Sequence, residues 1–162
     1  MKRFLLRVWY YGVNFFGSQR QPDKRTVESE LINVLLKRNY ITDEKINQFK
    51  GAARTDRGVN ARQASFAFST NKDLYINEIN SNLPFDMGID AWAEVPENFN
   101  PQYQVEWKEY RYTILNTETI QKKHHCIKEA LQLIEGTHNF DRFRKKDPNK
   151  SKNSELTILR AD

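Results

Sequence analysis

The order in which the hydrophobic period changes along the first hundred residues constrains this chain most. Phe4, Leu6, Val8 and Tyr10 alternate with Leu5, Arg7, Trp9 and Tyr11, and this period of two predicts a strand over 3–11. A polar, glycine-bearing loop follows over 12–25. Thr26 then precedes Val27, Leu31, Val34 and Leu35, with Glu28 and Glu30 close behind it. An N-capping hydroxyl, an apolar stripe and acidic residues at the positive end predict a helix over 27–38. Residues 46–53 and 63–70 read as strands, the second with Ala64, Phe66 and Phe68 on one face, and a polar loop, 54–60, joins them. A short helix over 73–81 turns Ile76, Ile79 and Leu83 inward before Pro84 ends it. Ile89, Ala91, Ala93 and Val95 alternate in a fourth strand. The order β-α-β-β-α-β predicts an α+β fold: a ferredoxin-like unit with a mainly antiparallel sheet over residues 1–100.

The pattern restarts over 101–162. Residues 107–116 read as a strand with Tyr110, Tyr112 and Ile114 on one face. Ile127, Ala130, Leu131 and Ile134 define a helix within 122–135, with Gly136 as its C-terminal cap. A basic loop over 143–153 leads into a strand beginning at Leu156. This second unit reads as the start of another ferredoxin-like copy, incomplete at Asp162, and it repeats element order rather than sequence.

A chain of 162 residues buries a core without staples, and its single cysteine, Cys126, excludes an internal disulfide. Aromatic residues at 12% argue against disorder despite a mean hydropathy of −0.81. Arg7 interrupts the first apolar run, so no signal peptide is expected, and no run approaches the ~20 residues of a membrane span. The expectation is a cytoplasmic protein. Charge is uneven: residues 1–81 carry 14 basic and 8 acidic groups, residues 82–141 carry 5 and 10, and residues 142–162 carry 7 and 3. Two basic blocks flanking an acidic middle suggest a polyanionic partner, nucleic acid first. A solvated basic surface is the alternative.

His124, His125 and Cys126 are the only cluster of soft metal ligands. Neighbours on a helix point in different directions and no second pair stands at ligand spacing, so no metal site is expected. His138 reads as a turn residue, and neither a nucleophile elbow nor a glycine-rich phosphate loop is present. What remains is Asp56, in a loop between Arg54 and Arg57 and before Gly58. A surface ion pair is the plain reading. The chemical one is that opposite charge favours the ionised carboxylate, which suits nucleophilic attack.

Residues 52–61, Ala-Ala-Arg-Thr-Asp-Arg-Gly-Val-Asn-Ala, resemble the active-site loop of the tRNA pseudouridine synthase A family. Further segments match in order along nearly the whole chain. Tyr10 to Gln21 resembles the family's opening, Thr26-Val27-Glu28 its first helix, and Asn80 to Pro84 its Asn-x-x-Leu-Pro segment. Lys108 to Tyr112 resembles its Lys-x-Tyr-x-Tyr strand, and Gly136 to Phe140 with Phe143-Arg144 its Gly-x-His-Asp-Phe…Phe-Arg segment. The chain departs at Ser18 (usually Trp), Ala53 (usually Gly), Arg57 (often Ala) and Asn60 (commonly His). The family's later hydrophobic strand and its His-Met-Val-Arg helix are absent.

The resemblance implies the pseudouridine synthase fold and the isomerisation of uridine to pseudouridine in tRNA, in the anticodon stem-loop, by a homodimer and without cofactor or metal. It implies that Asp56 is the catalytic carboxylate, as nucleophile or as sugar-proton base. Arg54 would pair with Asp56 or hold the flipped nucleotide open, and Tyr110 would stack on the extruded uracil. Without the resemblance, Tyr110 reads as a core or cross-strand aromatic. Arg20, Lys24, Arg25 and Arg62, with Arg142, Arg144, Lys145 and Lys146, are candidate phosphate contacts that position RNA by shape and charge. The competing readings are a non-catalytic RNA-binding fragment lacking one cleft wall, and a glycosidase-like hydrolase, which lacks an acid partner for Asp56.

Overall fold

The computed structural model describes residues 1–143 and 154–162. They form two compact units, Met1–Glu109 and Tyr110–Asp162. The first contains β1 (Lys2–Tyr10), α1 (Val27–Lys37), β2 (Lys50–Gly51), β3 (Ala61–Thr70), α2 (Ile76–Asn80) and β4 (Met87–Val95). Its sheet runs in the order β2-β3-β1-β4 with every neighbour antiparallel. That is the mainly antiparallel α+β architecture expected from the alternation of periods.

β1 is central, and its alternation decides which way the sheet faces. Phe4, Leu6, Val8 and Tyr10 are buried against Phe66 and Phe68 of β3, Ile89 of β4, and Val27, Leu31 and Leu35 of α1. Full burial of each large apolar side chain contributes about 1.5–3 kcal/mol. Thr26 starts α1 as expected: its hydroxyl accepts from the Ser29 N–H, and the Ser29 hydroxyl accepts from the Thr26 N–H, a reciprocal capping box. One extra residue on β3 shifts its register with β1 between Val8 and Tyr10, and one on β4, Asp90, does so between Arg7 and Val8. Such bulges increase twist and re-aim strand ends. Here they lie near the end of β1 that runs into the 11–25 loop.

Some elements differ from expectation. The strand expected over 46–53 shrinks to Lys50–Gly51. Side chains claim the preceding backbone: Asn47 Oδ1 accepts from the N–H of Thr42 and Asp43, and Asp43 Oδ1 from those of Lys45 and Ile46. The helix expected over 73–81 is Ile76–Asn80, with Ile79 buried.

The second unit contains α3 (Glu118–Ile134), capped by the Thr117 hydroxyl, and the antiparallel pair β5 (Gly136–Asn139) and β6 (Glu155–Ile158). α3 begins earlier than expected because Thr117 supplies the cap. Gly136 follows it at φ +97°. The strand expected over 107–116 is not formed among the described residues. Tyr110, Tyr112 and Ile114 are exposed, and alternation makes a strand only where a neighbour accepts its hydrogen bonds. His138 lies in β5 rather than in a turn. Cys126 is an exposed thiol, and the described residues hold no group of three or more potential metal ligands. No described helix is long and apolar enough to cross a membrane.

Candidate active site

Asp56 sits at the first position of a tight turn. The Val59 N–H donates to its carbonyl at 3.3 Å, and Gly58, third in the turn, has φ +82°. A positive φ at that position, with none at Arg57 before it, is that of a type II turn and favours glycine. The turn is docked onto the loop that leaves β1. The Ser18 N–H donates to the Thr55 carbonyl at 3.0 Å, while the Ser18 hydroxyl, fully buried, accepts from the Thr55 N–H at 2.8 Å. The Tyr10 hydroxyl meets Thr55 Oγ1 at 2.8 Å, and burial pushes that phenol above its ordinary pKa. The Gly12 N–H donates to Asn60 Oδ1 at 2.8 Å. Gly17 is at φ +92°, and a Cβ there would lie 2.8 Å from the Thr55 carbonyl oxygen.

On this frame the Asp56 side chain is exposed, and among the described residues its carboxylate makes neither hydrogen bond nor ion pair. An Arg54–Asp56 pair, one of the two roles expected of Arg54, is not formed. Arg54 instead acts through its charge on Glu28, the half-buried α1 carboxylate that accepts from the Arg20 N–H at 2.9 Å. Burial raises the Glu28 pKa, and the interactions with Arg20 and Arg54 oppose that rise. Arg57 also turns from Asp56, its guanidinium carbon lying 4.5 Å from the Phe16 ring centroid. Two arginines close in sequence to a carboxylate therefore leave it open to solvent.

The expected phosphate-binding cations divide into two groups. Arg25 is engaged within the protein: it makes two 2.8 Å bonds to the buried Asp86, a third to Glu30, and lies 4.3 Å from the Phe15 ring centroid. The Arg25 guanidinium holds the Asp86 carboxyl below its usual range. Asn14 also donates to Asp86, so this network anchors the 11–25 loop to the turn before β4. Sequence reading missed Asp86, whose partner stands 61 residues away. Arg20 pairs with Glu44 at 2.6 Å. Lys24, Arg62 and Arg142 are exposed, whereas Arg144, Lys145 and Lys146 lie outside the described residues. Tyr110 is the exposed first residue of the second unit and lies in no regular element.

A cleft of about 900 Å³ is lined by Arg20, Pro22, Glu28, Glu44 and Phe49 among others, but not by Asp56. The Asp56 carboxylate itself is solvent-exposed.

The four-stranded antiparallel sheet, with an exposed carboxylate on a braced loop beside it, is compatible with the pseudouridine synthase fold. No family model matches the chain. It is 43% identical over 146 residues to the tRNA pseudouridine synthase A of Methanobrevibacter smithii, covering 90% of this chain and 49% of the relative. It is 39% identical over 162 residues to the protein of that name from Thermococcus onnurineus, covering 99% and 59%. With that from Methanothermobacter thermautotrophicus it shares 39% identity over 143 residues, covering 88% and 51%. By sequence the chain is homologous, over most of its own length, to proteins of the tRNA pseudouridine synthase A family, and it spans about half the length of the curated relatives it matches.

Proposed function

We propose that this chain carries the catalytic loop of a tRNA pseudouridine synthase, with Asp56 as the catalytic carboxylate. The observation that carries this reading is the exposed Asp56 side chain, without a partner among the described residues, on a loop braced through Ser18, Thr55 and Asn60. A carboxylate spent in an ion pair would have to be released before it could react.

In the reaction the bond between N1 of uracil and C1′ of the ribose breaks, and a bond from ring carbon 5 to C1′ forms. Carbon 5 loses its proton and N1 gains one, so nothing is added overall. Asp56 acts on the sugar, as nucleophile or as base. The uridine is turned out of its stack to reach it, and Tyr110 stacks on the extruded ring. Lys24, Arg62 and Arg142, with Arg144, Lys145 and Lys146, contact phosphates. Arg20 and Arg25, already ion-paired, hold the loop that supports the site. The anticodon stem-loop as target, a cytoplasmic location and a homodimeric enzyme belong to the same reading.

The test uses tRNA tritiated at uridine carbon 5. Tritium release by this chain, abolished in Asp56→Ala, is the expected result. Tight binding without release from a folded sample would favour the RNA-binding reading. Free uracil as product would favour the hydrolase.

A further inference from the structure

We propose that Arg57 and Lys24, gathered on the Phe16 ring, form a phosphate clamp beside Asp56. It would grip the RNA backbone next to the nucleotide presented to the carboxylate. The inference rests on the RNA reading above and gives a role to Arg57, which that reading leaves without one.

The Arg57 guanidinium carbon and Lys24 Nζ lie 4.5 and 4.8 Å from the Phe16 ring centroid. An aromatic ring attracts a cation through its quadrupole and consumes no N–H donor. Among the described residues neither side chain makes an ion pair or hydrogen bond, so five guanidinium and three ammonium donors remain for an anion. The contrast with Arg20 and Arg25, both neutralised by carboxylates, is direct.

The clamp is also pre-positioned. The Phe16 N–H donates to the Arg25 carbonyl, and the Phe16 carbonyl accepts from Gln21, both at 2.9 Å, which fixes the ring's backbone. Arg57 occupies the second position of the turn that Asp56 opens. A phosphate held there would be placed relative to the reacting carboxylate by one peptide unit.

The experiment measures binding of the 162-residue chain to an unmodified tRNA transcript across a salt series. Removing one cation from a phosphate should make the plot of log affinity against log salt shallower by about 0.7–0.9. Arg57→Ala and Lys24→Ala should each show that change and the double variant about twice it. Phe16→Leu should keep the slope while weakening binding by about two- to fivefold. Matched circular dichroism and melting temperature establish folding, and Arg57→Gln serves if Arg57→Ala does not fold. Slopes unchanged in both single variants, or Phe16→Leu binding as tightly as the parent, overturn the clamp alone. Absence of any transcript binding by the parent at low salt overturns the clamp and the RNA reading together.

Discussion

Ser18, Arg57 and Asn60, three positions at which the chain departs from the family pattern, all make contacts between the same two loops. Ser18 meets Thr55, Arg57 meets Phe16 and Asn60 meets Gly12. The departures therefore form a set. Ser18→Ala removes the acceptor for the Thr55 N–H, and an unmet, partly buried donor costs about 1–2 kcal/mol. Urea unfolding should show that loss, and activity should fall further than stability does, because the Asp56 turn hangs from Thr55. Asp56 stands out in the sequence as a candidate because it sits in a motif with its neighbours in fixed order. The fate of those neighbours does not. Nothing local says that Arg57 prefers Phe16 to the adjacent carboxylate, or that Arg25 answers to Asp86 far along the chain.

At the scale of elements, α1 and α2 are tied together by Glu78. Its Oε1 accepts from Arg38 Nε at 3.0 Å and Nη2 at 2.7 Å, and its Oε2 from the Tyr40 hydroxyl at 2.5 Å and Lys72 Nζ at 3.2 Å. The Tyr40 hydroxyl first, then Lys72 and Arg38, lower the Glu78 pKa to about 2. A carboxyl depressed by folding contributes stability that is whole above its ordinary value of 4.5 and lost as pH falls through about 2. The stability gap between the parent and Glu78→Gln should hold at neutral pH and narrow steadily between those limits, as read by denaturant midpoints. Burial first, and then Glu78, pushes Tyr40 up to about 12, so its neutral-phenol contribution is whole below 10 and lost as pH rises through about 12. The long elements of the first unit, β1, β3, β4 and α1, were readable because a single hydrophobic period runs through much of each. The full length expected of β2 was not, because Asn47 and Asp43 side chains accept hydrogen bonds from backbone N–H groups as far as Ile46 and hold the approach to β2 in a turn. The alternation over 107–116 misled for the complementary reason: period describes a face, and a strand also needs a neighbour.

At the scale of the whole molecule, every residue of the buried apolar cluster among the described residues lies between Phe4 and Ile89, and α3 buries none. Hydrogen exchange should follow that division. The slowest amides should belong to β1, hydrogen-bonded on both sides and packed under α1, and those of α3 should exchange orders of magnitude faster. Comparable protection in α3 and β1 would contradict the division. The outer strands of the sheet have a different consequence, for behaviour at high concentration. β2 offers only two residues to an incoming strand, too few to template growth. β4 offers nine, but it is kinked where Asp90 is inserted and ion-paired with Arg7, and it carries the exposed charge of Glu94. A short border on one side and a bent, negatively charged one on the other discourage copies of the sheet from zipping together edge to edge, so the protein keeps a mostly open β-sheet without inviting fibres.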